Sequence, residues 1–268
     1  MKERLDVFLT KQGLFDSREK ARNRILSGEV TVNGTPVTKP GTMVSETDGI
    51  TITGEGMRYV SRAGDKLKKV LDTFGVGLTG ITCIDAGAST GGFTDCMLQS
   101  GAAKVFAIDV GTDQLHESLR RNPKVVSMEQ TDIRDVTPGL LGTEADFLAA
   151  DVSFVSLTKV LPAMVGLVKD GGRIACLIKP QFEAGREWIG KNGIVKDKKV
   201  HKNVIQNVLT FAEGLGIRIE GLTWSPIQGG SGNTEYLFLG TKGGDGTGAG
   251  FRADAERIVN EAFLYYRK

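Results

Sequence analysis

The sequence predicts an α/β protein in which a Rossmann-like, mainly parallel sheet follows a small N-terminal α+β domain. From about residue 64, short apolar runs alternate with helix-length segments, which is typical of a parallel sheet covered on both faces. The first 53 residues lack this alternation, and Gly54-Glu-Gly56 reads as a flexible joint after them. We therefore predict a small domain with its linker at 1–58 and a large domain at 59–268.

The small domain is predicted to contain two short helices followed by a small sheet. Apolar residues at helical spacing mark both helices, and Ser17 is placed to cap the second helix, which ends at Gly28. Strands are predicted at Val30–Val32 and Ile50–Ile52, and Asn33-Gly34 is typical of a tight hairpin turn.

The second of these helices has a strongly basic surface. Arg18 and Arg22 are four residues apart, as are Lys20 and Arg24, so the two pairs flank the buried stripe of the helix. Such a surface can bind RNA phosphates, and from charge alone a merely solvated helix face explains it equally well.

The large domain begins with five apolar runs, which we interpret as parallel strands. They lie at Ile81–Ile84, Val105–Ile108, Val125–Val126, Phe147–Ala150 and Ile174–Ile178. An amphipathic helix bearing Val200, Val204, Val208, Ala212 and Leu215 follows them.

The chain then ends with a strand pair and a helix. The runs Ile217–Trp224 and Glu235–Leu239 are joined by a loop too short for a helical crossover, so they must pair antiparallel. A glycine-rich linker, Lys242–Gly250, precedes a terminal helix in which Ile258, Ala262 and Leu264 are expected to face the protein body.

A glycine-rich turn follows the first strand of the large domain, in the segment Asp85–Gly92. Its glycines permit a ligand to approach the backbone closely, but Ser89 replaces a glycine of the dinucleotide motif and no P-loop lysine is present. Asp109 ends the second strand, where it can accept from the ribose hydroxyls of an adenosine, and Asp132 follows the third, where it can accept from an adenine amino group.

This arrangement fits S-adenosylmethionine better than NAD, although a tight strand–helix turn with unrelated surface acids would look similar. The predicted cofactor-binding residues are Asp85, Gly87, Ala88, Ser89, Thr90, Gly91, Gly92, Phe93, Asp109, Asp132 and Asp151.

Four further residues, Lys66, Asp151, Lys179 and Glu235, lie beside predicted strand ends or helix starts. They are suited to methylating a ribose hydroxyl, because this poor nucleophile needs a positioned base. We assign Lys179 as the base, with the ammonium of Lys66 favouring its neutral form. Asp151 would orient Lys179 and lie near the methyl donor, and Glu235 would hold Lys66. Taken singly, each residue would more often be structural than catalytic.

These four residues match the lysine–aspartate–lysine–glutamate tetrad of FtsJ-like ribose 2'-O-methyltransferases. The contexts Ser61–Lys66, Ala150–Ser153 and Ile178–Phe182 match as well. The N-terminal motifs Arg4-Leu-Asp-x-Phe-Leu9 and Gly28-x-Val-x-Val-Asn-Gly34 resemble the S-four-type RNA-binding domain.

Together, the two domains resemble the TlyA (hemolysin A-type) rRNA methyltransferases over essentially the whole chain. This resemblance implies methyl transfer from S-adenosylmethionine to a cytidine ribose in rRNA of assembled ribosomal subunits. The predicted RNA-binding residues are Arg4, which belongs to the N-terminal motif, and Arg18, Lys20, Arg22 and Arg24.

Composition limits the remaining function classes. The chain has 34 basic and 32 acidic residues, a net charge of +2, so binding of nucleic acid must depend on local patches. Its three cysteines lack CxxC spacing, which argues against a disulfide framework or a zinc site, and the chemistry needs no metal. No apolar stretch approaches the ~18 residues of a membrane span, and no signal-peptide core follows the start, so we predict a cytoplasmic protein.

Two alternative functions stay open, a non-catalytic RNA-binding protein and a membrane-lytic hemolysin; the sequence does not predict the oligomeric state.

The roles of three individual residues are also ambiguous. Phe154 could stack on the target base or pack in the core, while His116 and His201 are expected on the surface or in capping positions.

Overall fold

The computed structural model describes residues 2–15, 17–26, 28–53, 58–243 and 249–267. The chain forms two compact units, Met1–Arg58 and Tyr59–Lys268. The predicted joint Gly54–Gly56 and the central part of the predicted glycine linker, 244–248, lie outside the described residues.

Within its described residues, the first unit contains two helices and five short strands. They are β1 (Glu3–Arg4), α1 (Leu5–Lys11), α2 (Arg18–Leu26), β2 (Val30–Val32), β3 (Thr35–Pro36), β4 (Met43–Val44) and β5 (Ile50–Ile52). The strands form a sheet of order β3-β2-β5 and a separate β1-β4 pair. The two central residues of the predicted hairpin turn, Asn33 and Gly34, have positive φ values of 52° and 79°. This is typical of type I′ turns, whose twist matches that of the flanking strands.

A small apolar core joins these elements. Leu5 and Leu9 of α1 and Ala21 and Ile25 of α2 are fully buried, as is Val30 of β2. The predicted cap of α2 is also present, since the Ser17 hydroxyl accepts a hydrogen bond from the Lys20 N–H at 3.2 Å.

The second unit contains a seven-stranded sheet. Its strands are β6 (Thr82–Ala86), β7 (Lys104–Ile108), β8 (Val125–Met128), β9 (Ala145–Ala150), β10 (Val168–Ile178), β11 (Ile217–Trp224) and β12 (Tyr236–Lys242). Its helices are α3 (Ala63–Phe74), α4 (Gly92–Gln99), α5 (Glu117–Arg120), α6 (Pro138–Leu141), α7 (Leu157–Gly166), α8 (Pro180–Glu183), α9 (Lys198–Gly214) and α10 (Ala249–Tyr265).

The strand order is β11-β12-β10-β9-β6-β7-β8. Strands β10, β9, β6, β7 and β8 are parallel neighbours, whereas β12 is antiparallel to both β10 and β11. The predicted fold class is confirmed, with one refinement: β11 runs in the same direction as the five parallel strands, so β12 alone is reversed.

Both faces of this sheet are covered, and alternate residues of a strand enter different cores. In β9, Leu148 and Ala150 pack with α7, α9 and α10, while Phe147 and Ala149 pack with α3 and α4. This burial on two sides explains why the central strands are almost wholly apolar. One expectation for α10 was wrong, because Leu264 is 62% exposed, whereas Ile258 and Ala262 are buried.

Candidate active site

The four predicted catalytic residues converge at the carboxyl edge of the parallel strands. Asp151 and Lys179 directly follow β9 and β10, Glu235 directly precedes the reversed strand β12, and Lys66 lies in the first turn of α3. Because β12 is antiparallel, its start lies at the same edge as the ends of β9 and β10. The reversed direction of β12 thus places Glu235 at the same sheet edge as Asp151 and Lys179, which follow parallel strands.

Asp151 lies between the two lysines. Its Oδ1 is 2.5 Å from Lys179 Nζ, and its Oδ2 is 3.3 Å from Lys66 Nζ. Lys66 Nζ is also 2.8 Å from Glu235 Oε2. All four side chains are largely buried, with Glu235 only 2% exposed, so each charge depends on its partners for stabilisation.

The two lysines therefore have different surroundings. Lys66 contacts two carboxylates, whereas Lys179 contacts Asp151 and donates to the Ser153 hydroxyl at 2.7 Å. Burial acts to lower the pKa of Lys66, but Asp151 and Glu235 outweigh it and raise this pKa above its ordinary value. Burial likewise acts to raise the pKa of Asp151, and the two lysines outweigh it and lower this pKa. Lys66 is thus fixed as a cation.

Two adjoining cavities open at this edge, with volumes of about 550 and 440 Å³. The larger is lined by all four tetrad residues, and the smaller by Asp109 and Asp132. Gly87, Ser89, Asp151, Ser153 and Phe154 line both cavities. A ligand that fills the smaller cavity can therefore extend one end to the tetrad.

The glycine-rich turn forms the wall between the end of β6 and the start of α4. Gly87 has a φ of 84°, and a Cβ there would lie 2.8 Å from the Asp151 carbonyl oxygen. A Cβ on Gly92 would lie 2.3 Å from Ser61 Oγ, while Ser89 adopts a φ of 47°. Gly87 is thus required both by its backbone conformation and by the close packing around it, whereas Gly92 is required by close packing. Ala88 and Phe93 are also wall residues of the larger cavity.

The two predicted adenosine-binding acids line the smaller cavity. Asp109 accepts hydrogen bonds from the backbone N–H of Ser89 at 2.8 Å and of Gly111 at 2.7 Å, so it joins the turn to the second strand end. Asp132 is paired with Arg134 at 2.6 Å, and this pairing lowers the pKa of its carboxyl. Val110, 70% exposed, lies in the same cavity and offers an apolar surface to a flat ring.

Asp85 differs from the other residues of the predicted cofactor set, because it is fully buried and lines neither of these cavities. Its Oδ2 accepts from the Thr94 N–H at 2.8 Å and the Thr94 hydroxyl at 2.6 Å, while its Oδ1 has no partner among the described residues. Burial raises the pKa of this carboxyl to about 7 despite the two Thr94 hydrogen bonds. Its place in the structure is beneath the turn, holding the start of α4.

The structure adds two polar residues to those chosen from the sequence. Ser153 contacts Lys179, as described above, and Gln181 donates to Glu235 Oε1 at 3.1 Å. Gln181 Oε1 is buried without a partner among the described residues. Both residues belong to sequence motifs that surround the tetrad, Ala150–Ser153 and Ile178–Phe182. Only their short distances to Lys179 and Glu235 distinguish them from other polar loop residues.

Phe154 is 92% exposed, so a core-packing role is excluded. It has a φ of 63°, which is unfavourable for a bulky side chain, and its ring centre is 5.2 Å from that of Phe182. Strained conformations of this kind concentrate at functional sites, where the surrounding structure maintains them.

The two histidines differ from each other. His116 caps α5 by accepting from the Ser118 N–H, as predicted. The expectation for His201 was wrong: it is fully buried, 2.8 Å from the Tyr236 hydroxyl and 2.9 Å from the Val195 carbonyl oxygen. It therefore supports the core behind β12.

The cations predicted to bind RNA lie in the first unit and are partly paired. Arg4 and Arg18 both contact Asp6, at 2.9 and 3.0 Å, and these contacts lower the pKa of the Asp6 carboxyl to about 2. Arg24 pairs with Glu29, while Lys20 and Arg22 have exposed side chains. The prediction treated all as one cationic surface, but Asp6, on the neighbouring helix, neutralises part of it.

Metal-binding clusters and membrane-spanning helices are both absent from the part of the chain that the structure describes. There, no group of three or more His, Cys, Asp or Glu side chains could hold a metal ion. None of the described helices is long and apolar enough to cross a membrane. The three cysteines, Cys83, Cys96 and Cys176, are buried and free.

Comparison with known proteins agrees with this geometry. The FtsJ-like methyltransferase family model matches residues 59–242, and the S4 domain model matches residues 3–50. The chain is 46% identical to the "Putative rRNA methyltransferase YqxC" of Bacillus subtilis, over 88% of this chain and 84% of that protein. It is 43% identical to the "16S/23S rRNA (cytidine-2'-O)-methyltransferase TlyA" of Mycobacterium tuberculosis, over 89% of this chain and 90% of that one.

A solved structure, "Putative hemolysin from Streptococcus thermophilus", matches 99% of this chain and 97% of that chain, with a TM-score of 0.80 and 43% identity. The family match covers the segment that contains the whole tetrad, the glycine-rich turn and both cavities. The chain therefore belongs to the FtsJ-like methyltransferase family and, with its S4 domain, to the TlyA and hemolysin A group within it.

Proposed function

We propose that this protein transfers a methyl group from S-adenosylmethionine to the 2'-hydroxyl of a cytidine in ribosomal RNA, and that its substrate is the RNA within assembled ribosomal subunits. The observation that supports this most directly is the buried Lys66–Asp151–Lys179–Glu235 cluster in the wall of a cavity that adjoins the glycine-rich turn. The 43% identical TlyA relative, whose name specifies this reaction on 16S and 23S rRNA, supports the choice of substrate.

The smaller cavity fits the cofactor. Asp109 offers a carboxylate to ribose hydroxyls, Asp132 an acceptor to an adenine amino group, and Val110 an apolar surface to the ring. Gly87 lets the ligand pass close to the backbone towards the larger cavity. When bound, S-adenosylmethionine supplies an electrophilic methyl group on a sulfonium centre.

Within the larger cavity, Lys179 is the base. Lys66 contacts two carboxylates, which hold it as a cation, whereas Lys179 contacts one, so we assign Lys179 to accept the proton of the ribose hydroxyl. Asp151 orients Lys179, while Glu235 retains Lys66 as the fixed cation. The low exposure of these side chains keeps water from competing with the hydroxyl.

RNA binds both to the S4 domain and to the catalytic unit. The S4 domain provides phosphate contacts through its exposed cations, and Phe154 provides a ring on which the target base can stack. This division suits an enzyme whose catalytic cavity accepts one nucleotide and whose substrate is a large RNA.

Methyl transfer from labelled cofactor to purified small and large ribosomal subunits tests the function and the base together. Lys179→Ala should lower the turnover number by ~10²–10⁴-fold, with the affinity for S-adenosylmethionine unchanged, since a base acts in the transition state. Lys169→Ala is a matched control, because Lys169 pairs with Asp146 at 2.7 Å outside the cavities and should be dispensable.

The outcomes separate the competing functions. If the wild-type protein binds the cofactor but methylates neither subunit, the proposal that ribosomal subunits are the substrate is contradicted. One that does not bind the cofactor would favour the non-catalytic or lytic alternatives. Retention of most turnover by Lys179→Ala would contradict the assignment of the base.

A further inference from the structure

A short arm, residues 185–194, presents an exposed tryptophan beside the larger cavity. The arm follows α8 and contains two short 3-10 turns, Arg186–Trp188 and Lys191–Gly193. Trp188 is 51% exposed, and no aromatic ring within reach of it is found among the described residues. An apolar side chain of this size left in water needs an explanation, since its burial elsewhere would be favourable.

The other tryptophan shows the ordinary arrangement. Trp224, at the end of β11, lies 4.3 Å from the ring of Tyr265 and beneath the ammonium of Lys69 at 5.0 Å. It thereby attaches α10 to the sheet. Trp188 makes no comparable contact with the described residues, so packing within that part of the chain does not account for it.

The arm forms part of the cavity wall. Ile189 and Gly193, on either side of the arm's tip, line the larger cavity together with Lys179 and Glu235. Trp188 directly precedes Ile189 in the chain, so its backbone adjoins the wall of this cavity, although Trp188 itself is not one of the lining residues.

The arm is also held firmly. Asn233, 2% exposed and two residues before Glu235, accepts from the Val195 N–H at 3.1 Å and donates to the Gly193 carbonyl at 2.9 Å. Within the arm, the Trp188 N–H donates to the Gly185 carbonyl at 3.0 Å. A ring presented on a fixed turn loses little conformational entropy when a ligand stacks on it.

The turn that carries Trp188 also carries an exposed cation, which suits an anionic ligand. Arg186 is exposed at the start of the same turn. Glu187 is exposed as well, but its carboxylate folds back on the arm, where a Cβ on Gly185 would lie 2.3 Å from Glu187 Oε1. An exposed ring and an exposed guanidinium two residues apart on one turn match a nucleotide, whose base stacks and whose phosphate pairs with a cation.

We propose that the arm is an additional RNA-binding site of the catalytic unit, in which Trp188 stacks on a base that neighbours the target nucleotide and Arg186 contacts that neighbour's phosphate. The proposal rests on the proposed function. It adds a contact that holds the strand outside the cavity while the target nucleotide occupies the inside, and it requires single-stranded or splayed RNA at that point.

Intrinsic fluorescence tests the stacking directly, because the chain has only two tryptophans. Trp224→Phe leaves Trp188 as the reporter, and Trp188→Phe leaves Trp224. Titration with transcribed small- and large-subunit rRNA, which contains no tryptophan, should quench the first variant with saturation and leave the second nearly unchanged. Unchanged Trp188 emission at RNA concentrations that a gel shift shows to be saturating would overturn the proposal.

Kinetics on purified subunits give a second readout. Trp188→Ala should raise KM for the subunit by about 5- to 150-fold, which corresponds to the loss of one base–aromatic stack. The turnover number and the affinity for S-adenosylmethionine should not change, and Trp188→Tyr should restore most of the loss. Leu140→Ala, at another exposed apolar residue (61%) that lines neither cavity, is the matched control.

These outcomes are distinct from failure of the proposed function. If the wild-type protein methylates the subunits but Trp188→Ala has a wild-type KM, the arm is not an RNA contact, although the enzyme assignment stands. A raised KM without any fluorescence response to bare RNA would instead indicate a ribosomal protein as the partner of Trp188, and it would also overturn the proposal.

Discussion

Replacement of Asp85 by asparagine should remove a pH-dependent penalty on the stability of the second unit. The carboxyl is fully buried, and burial raises its pKa from 3.8 to about 7. Since the folded state holds this proton more tightly than the unfolded state, the stabilisation is fully present below pH ~3.8 and is lost as the pH rises through ~7. At ~1.36 kcal/mol for each pKa unit, the complete loss amounts to roughly 4 kcal/mol.

The asparagine variant retains an oxygen that can accept both hydrogen bonds from Thr94, but it has no proton to lose. Its stability relative to the wild type should therefore increase with pH, by about 2–3 kcal/mol between pH 5 and pH 8.5. Its absolute stability need not be higher at low pH, because the new amide N–H₂ takes the position of an oxygen that has no partner among the described residues.

Urea unfolding of the full chain, followed by tryptophan fluorescence, measures this difference, because Trp188 and Trp224 both lie in the second unit. Comparing two variants at each pH cancels the titration of the other carboxyls. Thr94→Val provides an internal check: it removes the hydroxyl donor to the ionised carboxylate and should steepen the loss of stability with pH. Parallel stability curves for wild type and Asp85→Asn would refute the reasoning, since Asp85 would then be ionised at no cost.

Two further predictions concern ligand binding. Asp109→Ala should raise the dissociation constant for S-adenosylmethionine by about 10- to 150-fold, the equivalent of ~1.5–3 kcal/mol for a charged hydrogen-bond acceptor; calorimetry that finds unchanged binding would show that this acid does not hold the ribose. Arg22→Glu should weaken binding to ribosomal subunits and reduce the log–log salt slope by ~0.7–0.9, with cofactor binding unaffected; a salt slope equal to that of the wild type would remove Arg22 from the RNA surface. Arg18→Glu is not equivalent, because it would place a second carboxylate beside Asp6, and it should also lower the thermal stability of the first unit.

Much of the fold could be predicted because its strands are buried on both faces. Continuous apolar runs located the five parallel strands, and the length of the loop after Trp224 was sufficient to establish antiparallel pairing with β12. The start of β10 was placed too late, at Ile174 in place of Val168. Its first residues include the polar and glycine-rich stretch 169–172, and the register with β9 shifts between Val168 and Arg173, so the apolar pattern is interrupted there.

In the candidate site, the charged residues could be predicted from the sequence, but the polar residues that contact them could not. Charged residues at strand ends stand out in a sequence, because the neighbouring strand interior is apolar, and this feature identified Asp151 and Lys179. Ser153 and Gln181 could not be selected in this way, since their relevance lies in distances to Lys179 and Glu235 that depend on the folded loops. The burial of Asp85 and His201 was likewise hidden. Asp85 lies at the end of a strand, as the cavity-lining acids do, and His201 is 2.8 Å from the hydroxyl of Tyr236, which is distant in sequence.

The basic helix of the first unit shows why charge counted along one element overestimates a binding surface. Four cations within seven residues of α2 suggested a continuous cationic face, but Arg18 contacts Asp6 of α1, and Arg24 contacts Glu29 beyond the helix end. The carboxyl of buried Asp6, with a pKa of about 2, stays ionised throughout the neutral range, so Arg18 would have to exchange this charged partner for a phosphate in order to bind RNA. Arg22 is exposed on the same helix and does not have to leave Asp6 before it can contact a phosphate. Phosphate binding by this helix should therefore depend more on Arg22 than on Arg18.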